Sequence, residues 1–164
     1  VKCRPLNNRD PKENEILIED FFDNDKKLIK ELIYNSGEDN VQTLGIILHS
    51  KEVNPQNKKE IFNDTLTINQ IRKFYDSFLK IYYSKVDDDT KKIQLLLLKA
   101  NAEYSAERLK TKRFALFMHN RISLVVKQKQ AFKDYLDAFK LHFEALVGYY
   151  PREKKEKENQ NENQ

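Results

Sequence analysis

Glycine and proline are too scarce in this sequence to support a fold built on tight turns. The 164-residue chain contains 3 Gly and 4 Pro, which are among the residues that hairpin turns most often require. Long segments are filled instead by Leu, Lys, Glu, Gln, Ala and Arg, which favour helices. We therefore predict an all-α protein, a compact bundle of about five or six helices.

The length of the chain suits one domain with a hydrophobic core of its own. We expect this domain to span residues 1–150, with residues 1–12 as an irregular arm and residues 151–164 as a charged, disordered tail. Cys3 is the only cysteine, so neither a disulfide framework nor a Cys-rich zinc site forms within one chain, and we expect a cytoplasmic protein. No apolar run approaches the roughly 18 residues of a membrane-spanning helix, so we expect no membrane contact.

Periodic apolar residues predict where the helices lie. They predict one or two helices in residues 13–34 and a shorter helix in residues 40–49. Thr67 and Gln70 have the spacing of a capping box, so a helix should begin there. The next predicted helix, residues 91–110, has apolar residues on two opposite sides, which predicts a central helix that is packed on both sides.

The last apolar stripe of the sequence runs from Phe114 to Phe143 with no Gly or Pro inside it. Phe114 and Phe132 lie on the same side, since 18 residues make five helical turns. Two arrangements agree with this pattern. One is a single long C-terminal helix of roughly 36 residues, and the other is a pair of helices separated by a bend at residues 127–130.

The sequence contains no recognisable catalytic or metal-binding motif. His49, His119 and His142 lie in different segments, and neither a phosphate-binding loop nor a nucleophile motif is present. Only a histidine cluster assembled by folding would change this interpretation. The aspartates at 87–89 resemble cation ligands, but acids at the start of a helix more often cap it. We predict a protein that is not an enzyme and that takes no cofactor, metal or small-molecule substrate.

Positive charge is concentrated in the middle of the chain. Residues 67–133 contain 15 Lys and Arg against 6 Asp and Glu, while residues 1–66 contain 10 against 13 and residues 134–164 contain 5 against 7. One predicted helix face in this region has no acidic residue, and it consists of Lys112, Arg113, His119, Asn120, Ser123 and Lys127. Such a face suits a phosphate backbone, although an ordinary solvated helix has the same pattern.

Two arginines lie at or near the apolar stripes of their predicted helices. Arg121 falls within the stripe, so its guanidinium must pair with an acid such as Glu103 or Glu107, or reach the solvent at the edge. Arg72 flanks the buried side of its helix. Arg72 can therefore support packing or point into a shared groove, and Arg121 can have a structural or a functional role.

Three segments, taken in order, resemble the small subunit of type III-A CRISPR effector complexes. They are TINQIRKF at residues 67–74, LLLK at residues 96–99 leading to YSAER at residues 104–108, and residues 139–150, which end in EALVGYY. The resemblance covers residues 66–150. Glu107 and Gly148 depart from it, because a small residue and an alanine are expected at these positions.

The resemblance implies a non-catalytic helical bundle, present in several copies along a ribonucleoprotein filament beside guide RNA, target RNA and other subunits. In the segments that carry the resemblance, Arg72 and Arg108 match the arginines of the family's motifs, and Lys99 matches the motif lysine. The charge pattern adds further candidate RNA-binding residues, which are Lys73, Lys112, Arg113, Arg121 and Lys127. The expected role is electrostatic support of the RNA backbone. The alternative is a helical scaffold whose basic face binds an acidic protein partner.

Overall fold

The computed structural model describes residues 12–34, 37, 39–49, 51–53, 56, 60–63, 66–109 and 111–152, with only the backbone in 51–53 and 60–63. Nearly all of the predicted arm and of the predicted tail lies outside these residues. The described elements are α1 (Glu13–Ile16), α2 (Val41–Leu48), β1 (Lys51–Val53), β2 (Glu60–Asn63), α3 (Ile68–Tyr82), α4 (Asp88–Leu109), α5 (Lys112–Val126) and α6 (Phe132–Tyr149). The predicted all-α class is confirmed, with one short antiparallel hairpin of β1 and β2 that the sequence did not indicate. None of the described helices is both long and apolar enough to cross a bilayer.

Helices α3 to α6 form an antiparallel four-helix bundle. Helix α3 packs against α4 and α6, and α5 packs against the same two helices, while α2 lies on α6 and α1 on α5. Aromatic rings fill the centre, where Phe78 lies 4.9 Å from Phe139 and Phe74 lies 5.0 Å from Phe114, measured between ring centroids. Because successive helices alternate in direction, the start of α3, the end of α4, the start of α5 and the end of α6 share one end of the bundle.

Side chains fix the starts of α3 and α4. The Thr67 hydroxyl accepts a hydrogen bond from the Gln70 amide at 3.2 Å, and the Gln70 side chain accepts one from the Thr67 amide at 2.9 Å. The predicted capping box is therefore confirmed. At α4, the Asp87 carboxylate accepts a hydrogen bond from the Thr90 amide at 2.7 Å. Hydrogen bonds from the Thr90 side chain and backbone lower the pKa of Asp87, as a helix cap should.

The long apolar stripe folds back on itself as two helices. Helix α5 ends at Val126 and α6 begins at Phe132, so the predicted bend at residues 127–130 is confirmed and the single long helix is wrong. The reversal lets Phe117 of α5 contact both Phe139 and Phe143 of α6. Burying these rings against each other stabilises the hairpin, whereas one straight helix would leave them without this contact.

Residues 13–34 are mostly irregular, so the predicted helices there are wrong beyond the four residues of α1. The Asp23 carboxylate accepts hydrogen bonds from the amides of Asp25 and Lys27, each at 2.9 Å, and turns the chain. Asp and Asn side chains compete in this way with helical hydrogen bonds. The segment closes with a short 3-10 helix at Lys30–Leu32.

Helix α4 is packed on one side only. Its core side carries Leu95, Leu98, Ala102 and Ala106. The opposite apolar residues are exposed within the described part of the chain, with exposed fractions of 60% for Ile93, 66% for Leu97 and 85% for Tyr104. The prediction of a central helix packed on both sides is therefore wrong.

Leu97 and Leu98 make a matched pair that tests this orientation. Leu98→Ala should lower the free energy of unfolding by about 2–5 kcal/mol, because it leaves a cavity in the core. Leu97→Ala should change it by no more than about 0.5 kcal/mol, because the side chain is already largely in water. Urea denaturation of both variants measures the difference. Equal losses would mean that the Leu97 side of α4 is buried.

Candidate nucleic-acid interface

Exposed cations gather at the bundle end where α3 and α5 begin. We define the basic end as residues 66–75, 106–109, 111–115 and 146–152. The Tyr150 hydroxyl joins two of these segments by donating to the Leu66 carbonyl oxygen at 2.6 Å. The exposed charged residues of the basic end are five cations and one acid, a net charge of +4, namely Arg72, Lys73, Arg108, Lys112, Arg152 and Glu107.

The opposite end of the bundle is nearly neutral at its surface. We define this far end as residues 80–89 and 124–135. Its exposed charged residues are five lysines and four aspartates, a net charge of +1, namely Lys80, Lys85, Lys127, Lys129, Lys133, Asp87, Asp88, Asp89 and Asp134. The excess positive charge of the bundle is therefore polarised towards the basic end.

The exposed cations of the basic end have no acidic partner. Within the described residues, the side chains of Arg72, Lys73, Arg108, Lys112 and Arg152 form neither an ion pair nor a hydrogen bond. Elsewhere on the described surface, Lys12 and Lys140 pair with Glu15 and Glu144 at 2.9 and 3.2 Å. The exposed lysines of the far end also form no ion pair with another described residue, but they lie among four exposed aspartates. A polyanion that binds unpaired cations releases its own condensed counterions and displaces no internal partner.

The structure brings four of the eight predicted RNA-binding residues together at the basic end: Arg72, Lys73, Arg108 and Lys112. Lys99 is partly buried in the middle of α4. Lys127 is the C-cap residue of α5 at the far end, about 22 Å along the helix from Lys112. These two lysines belong to the α4–α5 hairpin, away from the basic end.

Arg113 is part of the core, not of the surface. Its side chain is 1% exposed, and its Nη1 donates a hydrogen bond to the Ile47 carbonyl oxygen at 2.9 Å. Ile47 belongs to the last turn of α2, where carbonyls lack helical partners and a cation is favourable. The predicted contact between Arg113 and RNA is corrected accordingly, because this guanidinium binds α2 to α5.

Arg121 is likewise 1% exposed. It donates hydrogen bonds to the Ile16 carbonyl oxygen, to Asn120 Oδ1 at 2.7 Å and to His142 Nε2 at 3.3 Å. Its partners are thus neutral acceptors and not Glu103 or Glu107. Burial lowers the pKa of Arg121 to about 9, which leaves the side chain charged at neutral pH. Since it holds the N-terminal segment against α5 and α6, its predicted contact with RNA is also corrected to a structural role.

The polar face predicted for α5 is divided between surface and interior. The Asn120 amide exchanges two hydrogen bonds with the Ile18 backbone, at 3.0 and 3.1 Å, and so supports the fold. His119 Nδ1 lies 3.1 Å from a Glu103 oxygen, so α4 supplies the acid that α5 itself lacks. Lys112 and Lys127 remain exposed at the two ends of this face.

The three histidines stay apart in the folded chain. His49 Nδ1 contacts the Leu66 carbonyl oxygen at 2.8 Å, His119 contacts Glu103, and His142 is buried. Among the described residues, no group of three His, Cys, Asp or Glu side chains is placed to hold a metal ion.

His142 acts as a neutral connector in the core. Its Nδ1 donates to the Leu32 carbonyl oxygen at 2.7 Å, and its Nε2 accepts from Arg121 Nε, a pattern that only the neutral ring can satisfy. Burial, and then the charge of Arg121, lowers the pKa of His142 from 6.5 to about 3.

This shift predicts loss of stability in acid. Between pH 6.5 and pH 3 the unfolded chain binds a proton at His142 that the folded chain does not. The free energy of unfolding should therefore fall by up to about 1.4 kcal/mol for each pH unit below 6.5. Urea denaturation between pH 7 and pH 4 measures the slope, with His142→Gln as the control that removes the titrating ring. An unchanged slope in the control would show that other groups cause the loss.

Arg152 is a candidate that the sequence did not indicate. Charge and composition assigned it to the predicted tail, whereas the structure packs the preceding residue, Pro151, against α2. A Cβ placed on Gly45 of α2 would lie 3.4 Å from Cδ of Pro151, so the chain directly after α6 closely approaches α2. No local pattern signals this contact, since it depends on the packing of α2 against α6.

Comparison with known proteins identifies the family. The family model described as Csm2 Type III-A matches residues 42–156, which include all but the first residue of α2, the hairpin and the whole four-helix bundle. The match begins earlier than the resemblance at residues 66–150. No curated protein and no solved structure matched the chain. The family match spans well over half of the sequence, and the chain therefore belongs to the Csm2 family, the small subunit of the type III-A CRISPR effector complex.

Proposed function

We propose that this chain is a non-catalytic subunit that supports RNA in a cytoplasmic type III-A effector complex. In this proposal the basic end contacts the phosphate backbone of the guide or target RNA. Copies of the chain, with the other subunits, would follow the RNA along a filament. The observation that carries the proposal is the group of unpaired, exposed cations at one end of the bundle.

The arrangement of these cations suits contact with a backbone more than reading of bases. They are held on the ends of rigid helices, and lysine and arginine meet phosphates by charge and hydrogen bonding. We propose Arg72, Lys73, Arg108 and Lys112 as the main contacts. Lys99 and Lys127 would make further contacts with an RNA strand that runs along the α4–α5 hairpin.

Salt dependence tests the proposal with the isolated full chain. Four phosphate contacts to single-stranded RNA predict that affinity falls about 50-fold between 50 and 200 mM salt. Fluorescence anisotropy with labelled RNAs of two unrelated sequences measures the fall and should give similar affinities for both. Affinity that is indifferent to salt would contradict the proposal. Binding of a poly-glutamate peptide more tightly than RNA would favour the alternative of an acidic protein partner.

A further inference from the structure

An apolar stripe on α4 is exposed on the outside of the bundle. It consists of Ile93, Leu96, Leu97, Ala100 and Tyr104, which recur at three- and four-residue steps on one side of the helix. Tyr104 is 85% exposed and Leu96 is 41% exposed. Single exposed apolar residues are common, but a contiguous row of them on one helix marks a contact surface.

The two edges of the stripe differ in charge. At about 100° per residue, Asp89, Glu103 and Glu107 follow the edge that contains Leu96. The other edge carries Thr90, Asn101 and Arg108. Of the three acids only Glu103 has a partner within the described residues, the ring of His119. Among the described residues, the exposed charges beside the stripe are thus acidic on one side, with Lys92 and Lys99 partly buried beyond them, and consist of Arg108 on the other.

These charges indicate which partner suits the stripe: RNA, a second copy of the chain or a different protein. Acidic side chains along the stripe repel phosphate, so RNA is a poor partner for this face. A second copy would offer Arg108 as the only exposed cation among the described residues of its own α4, because the lysines of this helix, such as Lys92 and Lys99, are partly buried, and one cation does not balance three acids. A different protein with an apolar segment and Lys or Arg along one flank matches both the stripe and its acidic edge.

We infer that the exposed stripe of α4 binds another protein subunit of the effector complex through an apolar segment that is basic along one flank. This inference rests on the proposed function for the existence of the complex, but the five residues of the stripe lie outside the basic end, and only its neighbours Glu107 and Arg108 belong to both surfaces. The chain would then hold protein on the outer side of α4 and RNA at the end of the bundle. Tyr104 and Leu97, the most exposed members of the stripe, would be the central anchors.

Site-specific photo-crosslinking tests the inference in the assembled complex. The full chain, carrying the photo-reactive residue p-benzoylphenylalanine in place of Tyr104, is co-expressed with its type III-A partners, irradiated and digested with nuclease and protease. Mass spectrometry then identifies the attached peptide or nucleotide. The same residue in place of the exposed Lys133 of α6 controls for non-specific attachment.

The expected adduct joins position 104 to an apolar peptide of another subunit that has Lys or Arg along one flank. An adduct with RNA, an adduct with a second copy of this chain, or no adduct above the Lys133 control would each overturn the inference. Leu97→Glu should also reduce recovery of the chain in the complex about tenfold or more. Thermal unfolding of this variant should match the wild type, since the side chain is exposed.

The two proposals fail separately. If replacing Arg72, Lys73, Arg108 and Lys112 lowers RNA affinity, and the protein adduct at position 104 still forms, both proposals are supported. If the isolated chain does not bind RNA but the protein adduct forms, the proposed function fails and the inference stands. If RNA binds as expected and no protein adduct forms, the inference alone fails.

Discussion

Replacing Arg72, Lys73, Arg108 and Lys112 together with glutamine is expected to reduce RNA affinity on the order of 10³-fold at 50 mM salt. The loss arises because four cations no longer release counterions from the RNA backbone. For the same reason, the remaining affinity should depend only weakly on salt. All four side chains are exposed and without partners among the described residues, so the variant should fold like the wild type.

A control variant with the same change in net charge separates a local interface from a general charge effect. Lys80, Lys85, Lys129 and Lys133 at the far end are also exposed, and glutamine at these positions removes the same four charges. The RNA affinity of this control should stay within several-fold of the wild type. Its four positions are far from the basic end, and salt screens most of the attraction between distant charges. Equal losses in the two variants would show that RNA responds to net charge alone and has no defined site on the bundle.

The neighbours Lys112 and Arg113 are expected to give opposite results when each is replaced by glutamine. Lys112→Gln should weaken RNA binding and leave the free energy of unfolding unchanged, because the side chain is exposed. Arg113→Gln should lower the free energy of unfolding by about 1–3 kcal/mol, because it removes a buried hydrogen bond to the Ile47 carbonyl oxygen. Its RNA affinity should be unchanged at temperatures where the variant is fully folded.

Chemical denaturation and fluorescence anisotropy on the same two preparations separate these effects. If the Arg113→Gln protein is folded and loses RNA affinity, Arg113 contacts RNA and its assignment to the core alone is wrong. A Lys112→Gln protein that is clearly destabilised would mean that Lys112 contributes to packing. The pair thus distinguishes a cation that holds the fold together from one that is available to a ligand.

Local signals in the sequence were enough to place most of the bundle. The Thr67 capping box, the Asp87 cap and the three- and four-residue periodicity of the apolar residues depend only on neighbours along the chain. Each of these features appears in the structure where it was expected. The bend at residues 127–130 was predicted only as one of two alternatives, since the stripe keeps the same phase on both sides of it.

The functional surface was harder to predict, because burial on α5 depends on distant parts of the chain. On a helical wheel, Arg113 lies on the polar face without acids and Arg121 lies within the apolar stripe. The wheel contains no information about Ile47 of α2 and Ile16 of α1, which supply the carbonyls that bind them. The charge of Arg113 therefore indicated a ligand, and the role of Arg121 was left open, where the fold uses both as internal connectors.

The two apolar stripes of α4 show that burial was also predicted where the structure leaves side chains exposed. Apolar periodicity predicted packing on both sides of the helix, but it does not say whether the packing is with the chain itself. The structure uses the Leu98 side for its own core and leaves the Leu97 side exposed. In a subunit of a larger complex, an apolar pattern can describe an interface with a partner as well as a core.

Mapping the RNA contacts within the assembled complex tests the central claim most directly. RNA containing 4-thiouridine is bound by the complex and irradiated, and the adducts on this chain are located by mass spectrometry. We expect adducts to concentrate in residues 66–75 and 106–115, with weaker ones towards Lys127. Adducts confined to the far end or to the exposed stripe of α4, or the absence of any adduct on this chain, would contradict it.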